Sequence, residues 1–341
     1  MKSSRGAILV LCLLVVGLFC FSSPVLAQAK PIELTYSIFF PAPHAQAVLA
    51  GEWAKEIEKR TNGQVKITMY YGGTLTPSNQ CYDGVVNGLS DIGLSVMAYT
   101  RGRFPLSEVL DLPLGFKSGM VATKVANAYV KKMQPKELAD TQVMYLHAHG
   151  PGLLHTKEPI AKLEDLKGMK ISCQGLAAKI VEALGGVPVA LPMQDRYDAL
   201  QKGVAEAGLF PLEALKGWKL AEVVKSTVYN YSSSYSTGFF VVMNKDKWAA
   251  LPPNIQKVFE AVNGEYIEKA GQTWDKADEV GRTFAVEKGI KFIELSKEES
   301  ARWAEKVKPL LDGYVKAMKE KGLPGEETLK FCQEEMKKLQ K

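Results

Sequence analysis

The sequence predicts an α/β protein of two lobes facing each other across a cleft, with one long helix running along both. Three observations carry this. Strand-like alternation and helical spacing follow each other in order from residue 32 to 97. The same order returns between 168 and 210. Apolar residues then step by threes and fours, with few exceptions, from 252 to 284.

In the first half, IELTYSIF (32–39) alternates and is rich in β-formers, so it reads as a strand. HAQAVLAGEWAKEIEKRT (44–61) has helical spacing closed by Asn62-Gly63, and QVKITMYY (64–71) alternates again. SNQCYDGVVNGL reads as a helix and SDIGLSVM (90–97) as the next strand, the signature of a mostly parallel sheet with helices on its faces. In the second half GMKIS, VPVALP and EAGLFP read as strands, with GLAAKIVEALGG and MQDRYDALQKGV as the helices between them. The spacing Gly88-x4-Gly93-Leu94 is matched by Gly203-x4-Gly208-Leu209, which supports one topology used twice.

The run Ile255, Val258, Phe259, Val262, Tyr266, Ala270, Trp274, Ala277 and Phe284 predicts a helix over 252–284, about 50 Å long at 1.5 Å per residue and longer than one lobe is wide. A strand (IKFIEL) and a helical tail follow. The expected division is a first lobe over 31–150 with a crossing segment near 240–275, and a second lobe over 151–239 with 285–330.

Residues 1–27 run from MKSSRG through AILVLCLLVVGLFCF to SSPVLAQA, the charged, apolar and small-residue order of a secretory signal peptide. The apolar run is short for a spanning helix, so an exported, periplasmic protein is expected. Removing Lys2 and Arg5 lowers the formal charge from +6 to +4, mixed evenly with acidic residues, which argues against a nucleic-acid partner. The mature cysteines, Cys81, Cys173 and Cys332, are odd in number, widely spaced and read as free thiols.

Catalytic motifs are missing. Gly72-Gly73-Thr-Leu-Thr-Pro lacks the spacing and lysine of a phosphate loop, and no G-x-S-x-G elbow occurs. His147 and His149 share a strand face with His155 shortly after, but no acidic residue is near enough in sequence to complete a metal set, and no cofactor is expected.

In open α/β sheets ligands sit beyond the carboxyl ends of strands. That rule selects Ser172 and Gln174 at the end of GMKIS, with Cys173 between them. It also selects Phe39, Phe40, His44, Met97 and Tyr99 in the first lobe, and Phe210 and Tyr235 in the second; Asn79 and Met193 join the set. Together they describe an apolar, partly aromatic pocket with a few hydrogen-bonding groups. Arg101 and Arg103 in YTRGRFP are either a cation for the ligand or solvated loop charges. Glu213 is either a ligand for an amine or bridging metal ion, or a surface helix carboxylate.

KRTNGQVKITMYYGGTL, VLDLPLGFKS, LEDLKGMKI, VPVALPMQDRYDALQKGV and FVVMNKDKWAALPPNIQKV together resemble the substrate-binding subunit of tripartite ATP-independent periplasmic (TRAP) transporters, the dicarboxylate-binding-protein-like family, over about 31–330. The resemblance implies a two-lobe periplasmic binding protein fold (type II-like), closure around a small organic anion, and delivery to a sodium-coupled membrane permease. It also implies an arginine after LKG-x-KI and an asparagine before the proline of GLFP. This chain has Ser172 and Phe210 there. The expected function is therefore capture of a small organic acid with an aromatic or apolar body. A ligand-sensing input protein for a receptor, or a Cys173-dependent enzyme, are the alternatives.

Overall fold

A computed structural model describes residues 30–340. The expected signal peptide over 1–27 lies outside the described residues.

Two sheets form the two lobes. The first contains β1 (Ile32–Ile38), β2 (Val65–Tyr70), β3 (Ile92–Val96) and β4 (Thr141–Ala148). The second contains β5 (Leu153–Thr156), β6 (Lys170–Cys173), β7 (Val187–Ala190), β8 (Ala207–Phe210) and β9 (Ser226–Tyr229). The chain then returns to the first sheet as β10 (Gly238–Asn244) and to the second as β11 (Lys291–Glu294). The strand orders are β2-β1-β3-β10-β4 and β11-β9-β5-β8-β6-β7. Within each lobe the strands of the repeated unit are parallel, and the strand that has crossed between lobes runs antiparallel to its neighbours: β10 beside β3 and β4, β5 beside β8 and β9.

The two crossing segments pair where they pass. Gly152 N–H donates to the Tyr235 carbonyl at 2.7 Å, and the two residues form an isolated antiparallel bridge. A Cβ at position 152 would lie 2.2 Å from the Tyr235 ring, so only glycine permits this crossing.

The long helix spans Pro253–Glu287, 35 residues, and starts with proline at its first position, where the missing N–H costs nothing. It docks on both lobes through glycines. A Cβ on Gly271 would meet the backbone of Met120 at 2.9 Å, in the first-lobe helix Gly119–Met133. A Cβ on Gly281 would meet the Leu212 carbonyl oxygen of the second lobe at 2.2 Å.

The carboxyl-terminal tail differs from the expected second-lobe assignment of 285–330. Trp303 and Val307 of the helix Lys297–Val307 do pack in the second-lobe core. Pro309 then ends that helix and starts another, Pro309–Glu320, which turns back to the first lobe. There Tyr314, Met318, Leu329, Cys332 and Met336 join the core of Tyr82, Leu110 and Tyr129, and the Tyr314 hydroxyl donates to the Leu106 carbonyl at 2.8 Å. Among the described residues no helix is long and apolar enough to cross a membrane.

Candidate functional site

The strand ends of the two sheets face each other across a closed chamber. Phe39 and Phe40 follow β1, Tyr99 follows β3, Phe239 comes from β10 and Trp274 from the long helix. The second lobe contributes Gln174, Met193, Pro211, Glu213 and Trp218, while His149 and Tyr235 belong to the crossing segments. The rings interlock. Phe39 lies nearly parallel to both Trp218 (centroids 6.1 Å apart, 16°) and Phe239 (6.2 Å, 12°), and Trp274 packs 5.1 Å from Phe239. Free space inside is about 10 Å³, room for roughly one water, so an organic molecule enters only when the lobes part.

Three polar contacts hold the lobes together. His44 Nε2 is 3.0 Å from Glu213 Oε2, both side chains being buried. The Met193 N–H donates to the Tyr99 hydroxyl at 3.0 Å, and Gln194 Nε2 donates to Ser78 Oγ at 2.8 Å.

Seven of the residues proposed from the sequence line this wall: Phe39, Phe40, Tyr99, Gln174, Met193, Glu213 and Tyr235. His44 stands behind it, stacked on Phe40 at 4.1 Å and holding Glu213. Asn79 and Met97 line the outer grooves of the cleft rather than the chamber. Ser172 and Phe210 line neither. Ser172 is fully buried with its hydroxyl unpartnered, and Phe210 stacks on His155 at 4.0 Å and 2°. The cause is strand alternation: β6 turns Ile171 and Cys173 to one face of the sheet and Ser172 to the other, where Phe210 also packs. Glu213, read as either a ligand group or a surface carboxylate, is a buried one.

Arg101 is exposed and borders both outer grooves, whereas Arg103 pairs with Asp140 at 2.6 Å away from the chamber. The sequence reading missed His149, Pro211, Trp218, Phe239 and Trp274. It also missed Arg196, which is fully buried behind Gln174 and donates from Nη2 to Gln174 Oε1 at 3.2 Å.

His147, His149 and His155 are neutral packing groups. Trp274 Nε1 donates to His147 Nδ1 at 2.9 Å, and burial lowers the His147 pKa to about 3. His149 falls to about 4 through burial, with a backbone hydrogen bond to Gly150 opposing and the Arg196 charge adding to the fall. His155 falls to about 3, again through burial. Burial raises Tyr99 to about 12, against the pull of Arg196. Cys81, Cys173 and Cys332 are free and buried, and burial lifts the Cys173 thiol to about 11, which leaves it protonated and poorly nucleophilic at neutral pH. Among the described residues no three His, Cys, Asp or Glu side chains gather into a metal site.

Asp111 ties down a crossing segment, accepting from the Thr237 hydroxyl. Burial pushes its pKa up to about 7, with that hydroxyl opposing. The folded state therefore holds the proton more tightly than the unfolded chain. The stabilisation is complete below the ordinary carboxylate pKa near 4 and is lost as pH rises to about 7. Asp111→Asn should flatten the decline of melting temperature between pH 4 and 7. It should also raise the melting temperature at pH 8 by roughly 2–4 °C in scanning calorimetry. An unchanged slope would remove Asp111 as its source.

Comparison with known proteins places this architecture. The model of the bacterial extracellular solute-binding protein family 7 (DctP) matches residues 37–318. The chain belongs to this family. It is similar to a TRAP periplasmic solute-binding protein of Desulfovibrio salexigens, with 33% identity, a TM-score of 0.80, and coverage of 90% of this chain and 96% of that one. It is also similar to a marine-metagenome TRAP solute-binding protein specific for aromatic acid ligands, solved with metahydroxyphenylacetate (30%, TM-score 0.87, coverage 91% and 100%). The C4-dicarboxylate-binding periplasmic protein DctP of Rhodobacter capsulatus is 27% identical over 304 residues, 85% of this chain and 88% of that protein. Family 7 members are solute-binding proteins, and the two-lobe fold with its cleft is the fold they share with this chain.

Proposed function

We propose that this chain is the periplasmic binding subunit of a TRAP transporter for an aromatic carboxylic acid, exported by residues 1–27 and delivering its ligand to a sodium-coupled permease. The chamber wall carries the reading. Phe39, Trp218, Phe239 and Trp274 offer ring faces and edges on several sides, a surface that rewards a flat apolar body and offers little to a chain of polar carbons. The structural relative specific for aromatic acids points the same way. Binding rather than catalysis fits the protonated, buried Cys173, which lies outside the chamber wall.

A thermal-shift panel tests the reading, since a ligand that binds only the folded state raises stability by about 2.7 kcal/mol at a hundred times its Kd. Benzoate, mandelate and hydroxyphenylacetate should raise the melting temperature, and succinate and malate should not. Stabilisation by the C4 dicarboxylates alone would make this a dicarboxylate receptor.

A further inference from the structure

We infer that Arg196 is the carboxylate anchor of the chamber, and that the ligand it selects is an aromatic monocarboxylate; this rests on the aromatic-acid reading of the same site.

Arg196 lies on the helix Met193–Gln201 and is wholly buried. Its guanidinium sits over the ends of three strands. Nε donates to the Leu191 carbonyl at 3.3 Å just past β7, Nη1 to the Leu209 carbonyl of β8 at 2.6 Å, and Nη2 to Gln174 Oε1 just past β6 at 3.2 Å. All three acceptors are neutral. A guanidinium stays charged and carries five N–H donors, so two remain beyond these bonds. Among the described residues no carboxylate pairs with it, whereas Arg60, Arg103 and Arg302 all have acidic partners at the surface. A buried charge with neutral partners alone is costly, and an anion arriving next to it recovers that cost.

The place where an anion can arrive is the chamber. Gln174, the acceptor of Nη2, lines it. Tyr235 lines it too, and its hydroxyl donates to the same Leu209 carbonyl that Nη1 uses, at 3.0 Å. Arg196 is thus one side chain deep behind the wall, and its charge is felt by Tyr99, His149 and Tyr235 around the chamber. Turning the Gln174 amide aside frees Nη2 for a ligand carboxylate, so a charge-assisted bond replaces a neutral one. Ser172 is uncharged and faces the sheet core, so it does not fill this role.

The same geometry selects one carboxylate rather than two. Glu213 lines the chamber as an acidic side chain held by His44, so a second ligand carboxylate would meet another carboxyl group instead of a second guanidinium.

Isothermal titration of full-length mature protein with acids and their uncharged amides tests this. Wild type should bind benzoate at least about 100-fold tighter than benzamide. Arg196→Lys should keep the preference at lower affinity, and Arg196→Gln, checked for native circular dichroism, should bind both within about 3-fold. Gln174→Glu is nearly isosteric and supplies the missing carboxylate from within. It should lose benzoate by about 100-fold or more while the ligand-free melting temperature rises. A folded Arg196→Gln that keeps the 100-fold acid preference overturns the proposal, as does a Gln174→Glu that binds benzoate like wild type. Acetate, pyruvate and succinate with their amides separate the two readings. If wild type binds only one of these, the aromatic reading falls and the Arg196 comparison is decided with that acid. Binding of no acid at all overturns both.

Discussion

Gly281→Ala should lower the melting temperature by roughly 2–6 °C, a large effect for the addition of a single methyl group. The added Cβ would lie 2.2 Å from the Leu212 carbonyl oxygen and 2.9 Å from Glu213 Cα, both backbone atoms that no side-chain rotation can move. The helix and the second lobe must separate by about an ångström, and overpacking of this kind costs about 1–3 kcal/mol or more. Because Glu213 moves with that backbone, its contact with His44 lengthens and lobe closure weakens together with stability. Gly264 is the internal control. It lies in the same helix with nothing within 4 Å of its Cβ position, so Gly264→Ala should be neutral or stabilising by up to about 1 kcal/mol. Equal melting temperatures for the two variants would mean that the helix does not dock through Gly281.

Trp218→Ala should weaken binding of an aromatic acid by roughly 30- to 100-fold while moving the melting temperature little. The Trp218 indole is only partly buried, stands 6.1 Å from both Phe39 and Phe40, and packs against the cores of both lobes. Losing its face removes about 2–3 kcal/mol of contact and apolar burial from the bound ligand. The unliganded fold loses less, because part of the ring already meets water. Trp218→Phe should recover most of the affinity. Calorimetry showing unchanged affinity in Trp218→Ala would place the ligand against another part of the wall.

What the sequence disclosed depended on the range of the interactions involved. Strand ends announce themselves locally, so Phe39, Phe40, Tyr99 and Gln174 were legible as chamber residues. The repeat was legible for the same reason. Gly88 and Gly203 adopt nearly the same left-handed backbone, φ 74° and 75°, each in the turn between a helix and a sheet strand. Phe210 was not legible, because its position is settled by the pairing of Leu153 with Phe210 and by a histidine 55 residues away. Arg196 was hidden by its neighbours. In MQDRYDAL an arginine among Gln194, Asp195 and Asp198 reads as one more solvated helix charge, and only the fold shows that its stem points inward. Trp274 was read as part of a core stripe, and it is that as well as a chamber wall.

The contacts between Tyr99 and Met193, Ser78 and Gln194, and His44 and Glu213 also bear on kinetics. All three join protein to protein, so they favour shutting whether or not a solute is inside. A solute must wait for them to break, which holds the association rate below the diffusional limit and lengthens residence once they re-form. They also lower the apparent affinity by the fraction of molecules that stand open. Strengthening this latch would therefore slow exchange in both directions, and a receptor that must hand on its cargo needs the latch weak enough to release it.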